Sequence, residues 1–375
     1  MMDDLGPASV FTFNPDFRPC RIVLRSRAMN TATDATLLGV LQEGVPFSQR
    51  TFADLGHRCG LSEEDVLARI QTLKHDRVIR QISAIFDTRS LGYASSLVAA
   101  QVAPEQLDAA VAVINSHPGV SHNYLRNHEF NLWYTLAVSP ASRLGLEETV
   151  DLLHRRSGAQ STRLLPTLRL FKIGVHFEVE GGSQPDDQSA PAYTEANRQE
   201  AGPLSALEIE FVRVMQRDLP LVPEPFLAVA AELGLSFADA SAMHQQFLTT
   251  GRMRRFAAVL HHRKAGFGAN AMGVWAGPEN DPDALQRLGE TMAGFRAVSH
   301  CYQRPSYPGW PYNLFTMVHG KNPEECEQTL AAIADATGLT DYRALYSSHE
   351  FKKTRVRYFT ADEAKWEDAN CSGGL

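Results

Sequence analysis

The stretch VSHNYLRNHEFNLWYTL, residues 120–136, reads as two short strands joined by a turn. Side chains two positions apart in an extended chain point to the same face. One face of the first strand and the turn therefore carries four polar or aromatic residues: His122, Tyr124, Arg126 and His128. A face that only packed against a core would be apolar, so this hairpin predicts a functional surface.

The hairpin occurs twice in the chain. VSHNYLR at 120–126 matches VSHCYQR at 298–304, and the three polar residues of the first copy recur as His300, Tyr302 and Arg304. Two further matches keep the same order: GLSEEDVLARI from Gly60 with GLSFADASAMH from Gly234, and IRQISAIF from Ile79 with MRRFAAVL from Met253. Repeated stretches in an unchanged order indicate a duplication. We predict that the two halves pack against each other as a pseudo-symmetric pair.

Each half contains two patterns. A helical region comes first, with Ser62 and Asp65, or Ser236 and Asp239, forming the N-terminal cap of an amphipathic helix, and a strand follows as in a winged helix-turn-helix. The remainder alternates strand, helix, two strands, helix and strand, which is the ferredoxin-like order βαββαβ. The predicted fold class is α+β, a tandem duplication of these two domains. The predicted boundaries are 32–92 and 93–179, a linker over 180–203 rich in Gly, Pro and Ser, then 204–266 and 267–360.

Composition limits the possible classes of protein. The formal net charge of −7 disfavours a protein that coats nucleic acid. No apolar run approaches the roughly 20 residues that span a bilayer, and the acidic N-terminus with Pro7 and Pro15 is unlike a secretory signal. A cytoplasmic location without a membrane partner is expected. Five cysteines without a C-x-x-C pair indicate neither a disulfide framework nor a thiolate metal site: Cys20, Cys59, Cys301, Cys326 and Cys371.

The two hairpins differ in their turns. The first turns through NHEFN, whereas the second has PSYPGWPYN, so His128 has no counterpart. The second turn instead carries Tyr307, Trp310 and Tyr312 between prolines, and these rings suit contact with a large planar ligand.

At these residues the chain resembles the siroheme decarboxylases, which combine an Lrp/AsnC-like winged helix with a ferredoxin-like domain. The resemblance rests on HNYLRNHEFNLW, HCYQRPSYPGWPYNLF and EFKKTRVRYF, and on HHRKAGFGANAMGVW from His261. It extends to the fused NirD–NirL-type chains of the d1-type haem pathway. The implied reaction removes CO₂ from the C12 and C18 acetates of siroheme and gives 12,18-didecarboxysiroheme. The implied partners are siroheme and its mono- and didecarboxylated products, with homologous NirG or NirH-type subunits or a homo-oligomer as further possibilities.

The chemistry of this reaction suits the residues. Loss of CO₂ from an acetate on a pyrrole leaves a carbanion that the macrocycle delocalises, so no cofactor is expected beyond the iron tetrapyrrole substrate itself. Arginine binds carboxylates in a bidentate manner, which suits Arg126 and Arg304. Histidine titrates near neutrality, so the candidate proton donors are His122, His128 and His300, with Tyr124 and Tyr302 as relays. The last strands add candidate substrate-binding cations: Lys172, Lys352, Lys353 and Arg355.

Several alternatives stay open from the sequence. A histidine could ligate the iron of the substrate instead of donating a proton, although no metal site made by the protein alone is predicted. An Lrp/AsnC-type regulator that binds a metabolite and DNA, and a non-catalytic tetrapyrrole carrier or sensor, are the competing functions. Because the first half has the additional His128, it is predicted to carry the more complete acid chemistry.

We predict no DNA binding at physiological salt. The first candidate recognition helix opens with the acidic residues of SEED at 62–65, and the second has no Lys or Arg before Arg252, so phosphates would meet little positive charge. A gel-shift assay on the full chain checks this. A sequence-dependent shift at micromolar or lower protein concentration would contradict it.

Overall fold

The computed structural model of the chain describes residues 32–173, 202–260 and 269–371. Most of the predicted linker and the whole of HHRKAGFG at 261–268 therefore lie outside the described residues. The elements of the first half are α1 Ala32–Glu43, α2 Thr51–Cys59, α3 Glu63–His75, β1 Ile79–Phe86, β2 Ala94–Gln101, α4 Leu107–Ser116, β3 Val120–Arg126, β4 Leu132–Val138, α5 Gly145–Ser157, β5 Ser161–Pro166 and β6 Arg169–Ile173.

The second half repeats this order. Its elements are α6 Ala206–Met215, α7 Pro225–Glu232, α8 Phe237–Thr249, β7 Met253–Leu260, β8 Ala269–Trp275, α9 Pro282–Gly294, β9 Val298–Gln303, β10 Leu314–Gly320, α10 Pro323–Thr337, β11 Tyr342–Lys353 and α11 Asp362–Cys371. Ser62 and Ser236 accept the backbone N–H of Asp65 and Asp239, so both predicted caps are present. The predicted fold class is confirmed.

Nine strands form one sheet in the order β5-β2-β4-β3-β11-β8-β10-β9-β6. The first four strands and the next four each have the ferredoxin-like arrangement, with the first and third strands of the unit in its centre. The outermost strands β5 and β6 follow each other directly in the chain. The chain therefore passes directly from the strand at one end of the sheet to the strand at the other end, and this links the two ferredoxin-like units.

The last strand of each half crosses to the other half. Residues Tyr342–Tyr346 of β11 pair with β8 of their own half, and Ser347–Lys353 of the same strand pair with β3 of the first half. In the first half, β5 pairs with β2, and β6 pairs with β9 of the second half. This exchange confirms the prediction that the halves pack as a pseudo-symmetric pair.

The helix-turn-helix domains are joined in the same way. The strand after each third helix, β1 or β7, does not form its own wing hairpin among the described residues but pairs antiparallel with its counterpart. Val45 donates its N–H to the Phe256 carbonyl, and Leu219 donates to the Ile82 carbonyl at the matching position of the other half. One hydrophobic core spans both domains. The β1·β7 ribbon is thus a shared element.

A second apolar cluster fills the space between the two ferredoxin-like units. It joins Trp133 and Leu165 of the first half to Trp310, Phe315 and Leu345 of the second half. Trp133 and Trp310 lie 5.4 Å apart between ring centroids. Apolar burial thus accompanies the backbone pairing that links the halves.

Helix α11 continues beyond the predicted end of the last domain at residue 360. It belongs to the second half in sequence but packs on the first half: the Trp366 ring contacts His117 at 4.4 Å between centroids, and its Nε1–H donates to Ser116. The Glu367 carboxylate accepts from the Ser142 hydroxyl and the Arg143 guanidinium. The end of the chain therefore attaches the second half to the first a further time.

No single helix in the described part of the chain is both long and apolar enough to cross a membrane. Only α7 and α8 taken together reach that length and composition, and they meet at an angle of 93°.

Replacing Trp366 by alanine is expected to destabilise the fold. The substitution removes a side chain that is only 8% exposed together with its hydrogen bond to Ser116, which should cost about 3 kcal/mol or more. Thermal unfolding measures the effect as a fall of several degrees in the midpoint. Leu207→Ala, at a side chain that is 40% exposed, is the matched control and should change little. Equal midpoints for Trp366→Ala and the wild type would contradict the role of α11.

Candidate functional site between the two halves

The two triplets lie on the sheet face that is turned away from the helices of their own half. Between the triplet residues of β3, Asn123 points to the helix side and donates to Asn115 of α4 at 2.9 Å. In β9, the buried Cys301 thiol likewise contacts the Gly289 carbonyl of α9 at 3.5 Å. Strand alternation places the neighbouring residues on the opposite face, which looks into the space between the halves. The triplet residues are His122, Tyr124 and Arg126 in β3 and His300, Tyr302 and Arg304 around β9.

The structure brings His122 and His300 together although they are far apart in the chain. Burial, the largest cause, and the charges of His319, Arg254, His122 and Arg304 together lower the pKa of His300 to about 3. His300 is therefore neutral at physiological pH. The two histidines and Arg254 of the shared ribbon form one cluster of basic groups, which we call the histidine cluster.

Each histidine is held by the serine that precedes it. The Ser121 hydroxyl lies 3.0 Å from His122 Nδ1 and 2.7 Å from the Thr135 hydroxyl. The Ser299 hydroxyl lies 2.8 Å from His300 Nδ1. In both rings Nδ1 is thereby engaged, which fixes the ring, and in His300 the nitrogen that a ligand would meet is Nε2.

The two arginines are buried and have no acidic partner in the described part of the chain. Arg126 and Arg304 are each 7% exposed, and one Nη–H of each donates to a backbone carbonyl, of Leu345 and Leu165 respectively. Their Nε atoms have no hydrogen-bond partner among the described residues, and no described carboxylate forms an ion pair with either side chain. Burial lowers the pKa of both to about 10. Buried guanidinium groups in this state can bind carboxylates of a ligand.

The predicted tyrosines lie next to these arginines. The guanidinium carbon of Arg126 is 5.7 Å from the ring centroid of Tyr124, and that of Arg304 is 4.7 Å from the centroid of Tyr302. Both distances allow cation–π attraction. The tyrosine rings therefore hold the guanidinium groups in place.

His128 is committed to the turn of its hairpin. Its Nδ1 accepts the backbone N–H of Phe130 at 3.1 Å, and the ring meets Trp310 edge-on at 5.3 Å between centroids. Burial lowers its pKa, so the charged form is disfavoured. These contacts do not support His128 as the additional acid of the first half, because one nitrogen stabilises the turn and the ring belongs to the apolar cluster.

The aromatic residues of the second turn are core residues rather than an open platform. Trp310 is 1% exposed and lies among the rings of Phe130, Trp133 and Tyr312, and Tyr312 is 7% exposed. The Tyr307 hydroxyl donates to the Leu164 carbonyl. The predicted stacking of Trp310 and Tyr312 on a planar ligand is wrong for this arrangement, because packing between the halves covers the indole ring.

Lys172 and Lys352 point to the helix side of the sheet. The Lys172 ammonium donates to the Phe295 carbonyl at the end of α9, at 2.9 Å. The Lys352 ammonium donates to the carbonyls of Asn115 and His117 at the end of α4, at 2.8 and 3.3 Å. Both therefore stabilise the C-terminal end of a helix, and the structure contradicts their predicted contact with substrate.

The two remaining predicted cations lie near the histidine cluster. Lys353 is directly opposite His122 in the β11·β3 pairing and so shares its face, and its ammonium is 3.8 Å from Glu350. Arg355 donates to the Ser83 hydroxyl and the Ala84 carbonyl of the ribbon at 2.8 and 3.1 Å. Arg355 thus ties the end of β11 to the helix-turn-helix domains.

Three residues around His300 were not predicted from the sequence: Arg254, Ser299 and His319. Arg254 pairs with Asp87 at 2.7 Å and its charge reaches His300. Arg80 and Arg254 occupy equivalent places in the repeated IRQ and MRR stretches, so the duplication itself gave a signal for an arginine in the ribbon. His319 has no such signal, because the equivalent strand of the first half has no histidine.

A cavity elsewhere in the described structure contains none of the triplet residues. This cavity of about 500 Å³ lies between α5 and β5 and is lined by residues that include Glu147, Asp151, His154 and Arg163. Within the described ranges, no three His, Cys, Asp or Glu side chains converge in a way that could hold a metal ion. The histidine cluster and the buried arginines therefore remain the candidate site.

Two family models and one relative decide the family. The siroheme decarboxylase NirDL-like HTH domain matches residues 34–80 and 208–254, and the AsnC-like ligand binding domain matches 90–172 and 264–352. A siroheme decarboxylase of Hydrogenobacter thermophilus is 38% identical over 330 residues, which are 88% of this chain and 96% of that protein. The chain belongs to the siroheme decarboxylase family.

Other family members agree in length and in fold. The siroheme decarboxylase NirDL subunit of Paracoccus denitrificans is 30% identical and is covered to 95%, over 85% of this chain. The crystal structure of the siroheme decarboxylase NirDL superposes with a TM-score of 0.71 at 34% identity, covering 91% of this chain and 98% of that one. A crystal structure of NirDL in complex with an iron-uroporphyrin III analogue matches with a TM-score of 0.70.

The buried histidines predict a loss of stability in acid. Burial lowers the pKa of His117 and His244 to about 4 and that of His300 to about 3, from an ordinary value of 6.5. The unfolded chain binds protons at these positions below pH 6.5 and the folded chain does not, so the folded state loses stability as the pH falls from about 6.5 towards 4.

Thermal unfolding from pH 7 to pH 4.5 tests this expectation. The wild type should lose stability over that range, and His300→Gln should lose less, because one of the three groups is removed. His75→Asn, at an exposed position on α3, is the control and should behave as the wild type. The same pH dependence in wild type and His300→Gln would show that His300 is protonated in the folded state.

Proposed function

We propose that this chain is a carboxy-lyase that removes CO₂ from the C12 and C18 acetate side chains of siroheme and releases 12,18-didecarboxysiroheme for d1-type haem biosynthesis. One structural feature carries the proposal: each half holds a His-Tyr-Arg triplet on the sheet face away from its helices, and the buried arginines of both triplets have no carboxylate partner among the described residues. Membership of the siroheme decarboxylase family supports the same substrate.

Binding rests on carboxylates of the tetrapyrrole. Arg126 and Arg304 each have a buried Nε–H that a substrate carboxylate would accept from, and a charge-assisted pair would offset the burial of the guanidinium. Lys353 and Arg254 extend the positive charge towards the ribbon. The guanidinium carbon of Arg304 also lies 5.4 Å from the ring centroid of Phe315, so the packed apolar cluster borders this charge.

The reaction breaks one C–C bond per acetate. CO₂ leaves as a neutral molecule, and the electron pair stays on the methylene carbon, where the conjugated macrocycle delocalises it. An apolar surrounding favours neutral CO₂ over the carboxylate, and the arginines hold the carboxylates that do not react. Delivery of one proton to the carbon completes the methyl group.

His122 and His300 are the proposed groups at the reacting carbon. Both have Nδ1 held by a serine, and the proposed contact with the ligand is through Nε2. His300 is neutral, so it would give up its Nε2 proton while it receives another at Nδ1. Either imidazole Nε2 would also be able to ligate the iron of the substrate, which is the alternative role.

No cofactor besides the substrate is proposed, because the macrocycle itself accepts the electron pair. The shorter relatives of Methanosarcina barkeri and Desulfovibrio desulfuricans, each 43% identical over 150 residues, are named beta and alpha subunits of siroheme decarboxylase. We propose that the two fused halves fulfil both roles within one chain, and that homologous subunits or a second copy can associate with it.

Anaerobic incubation of the full chain with siroheme tests the function. Mass spectrometry should show loss of one and then two CO₂, together with a change in absorbance. Intact siroheme that binds without loss of CO₂ would identify a carrier or sensor, and absence of both binding and turnover would contradict the proposal entirely.

Variants at the site separate binding from chemistry. Arg126→Met and Arg304→Met should weaken siroheme binding by roughly 10-fold or more, since each removes a charge-assisted pair. His122→Ala should leave binding largely intact and lower turnover by on the order of 10²-fold. Lys172→Met is the matched control, because its ammonium faces a helix end, and it should keep the affinity of the wild type. A loss of affinity in Lys172→Met as large as that in Arg304→Met would contradict the assignment.

A further inference from the structure

Three side chains continue from His300 in an unbroken series of hydrogen bonds, and two of them, His319 and Asn270, lie on the same sheet face as His300. The Ser299 hydroxyl lies 2.8 Å from His300 Nδ1 and 2.6 Å from His319 Nε2. His319 Nδ1 in turn contacts the amide oxygen of Asn270. Ser299 is 4% exposed, whereas His319 is half-buried and Asn270 is exposed. The series thus runs from the buried Ser299 hydroxyl to the exposed amide of Asn270.

The hydrogen-bond chemistry of the series allows a proton to move along it. The Asn270 oxygen accepts only, so Nδ1 of His319 carries a proton. When His319 is also protonated at Nε2, it donates to the Ser299 oxygen, and Ser299 then donates to Nδ1 of His300. The single proton of the neutral His300 ring is then on Nε2, the nitrogen that faces the ligand.

The first half lacks this arrangement. Ser121 contacts His122 in the same way, but its other partner is the Thr135 hydroxyl, and Ala137 stands where His319 stands in the second half. A hydroxyl does not take up a proton near neutral pH, whereas an imidazole does. The two triplets therefore differ in the groups behind them as well as in their turns.

We propose that His319 and Ser299 form a proton relay that supplies His300 during decarboxylation, so that the second half delivers the proton for the new methyl group. This inference rests on the proposed function. Neither residue touches the substrate, and both act through His300. The groups whose charges reach His300 are His319, Arg254, His122 and Arg304. Because these cations and burial keep His300 from holding two protons, it can give one away only as it receives another.

The proton balance of one transfer closes. Nε2 of His300 gives its proton to the methylene carbanion that CO₂ has left, and Nδ1 takes the proton of Ser299. Ser299 takes the Nε2 proton of His319, which becomes neutral. Once the product has left, His300 exchanges its Nδ1 proton for one on Nε2 with solvent, the Ser299 hydroxyl turns back towards Nδ1, and His319 regains a proton from solvent before the next transfer.

Single-turnover assays with siroheme under anaerobic conditions test the relay in the full chain. His319→Ala and Ser299→Ala should each lower the rate by on the order of 10-fold or more while the Kd for siroheme stays near that of the wild type. Added imidazole should restore the rate of His319→Ala, because a free imidazole can replace the missing ring. It should not restore Ser299→Ala, in which the link to His300 is absent.

Ser121→Ala is the control from the first half, and imidazole should not change its rate. A rate in His319→Ala equal to that of the wild type would overturn the relay. A slow His319→Ala that imidazole leaves slow would assign the residue a structural role and overturn it as well. If the wild type itself produces no decarboxylated product, the proposed function fails, which is a different outcome from failure of the relay alone.

Discussion

Backbone pairing between the last strand of each half and the sheet of the other half is the constraint on which the rest of the structure depends. β11 contributes its first residues to its own unit and its last residues to β3, while β6 pairs with β9. The hydrogen bonds of these edges are satisfied only when the halves are joined. Because β3 and β9 are the strands that carry the triplets, the same pairing that closes the fold also places His122 and His300 in one site.

The site combines groups that are unfavourable for the free protein. Arg126 and Arg304 are buried without a carboxylate partner in the described structure, and His300 is held neutral among cations. Such an arrangement costs free energy until a polyanionic ligand supplies the missing charge. Lys172 and Lys352 show the contrast, because they lie on the neighbouring strands β6 and β11 but point to helix ends, where carbonyl oxygens accept hydrogen bonds from them.

The sequence was sufficient to predict the duplication, the order of the elements, the helix caps and the two triplets, because strand alternation and repeated spacing report the faces of side chains directly. It was not sufficient to predict the exchange of strands, since pairing between halves depends on edges that have no signature in the local pattern. For the same reason Trp310 was predicted to be open to a ligand, although the apolar surface of the other half covers it. Lys172 failed for a different reason: the β6·β9 register shifts between Leu170 and Lys172, so Lys172 lies opposite Cys301 and points to the helix side.

The central claim is that the two triplets form one shared site rather than two separate ones. Anaerobic titration of the full chain with siroheme, followed by absorbance and by native mass spectrometry, tests it most directly. The charge of His122 reaches His300, so we predict that one siroheme per chain contacts both triplets and that either Arg126→Met or Arg304→Met weakens its binding. Two siroheme molecules per chain, each lost independently in one of the two variants, would contradict it.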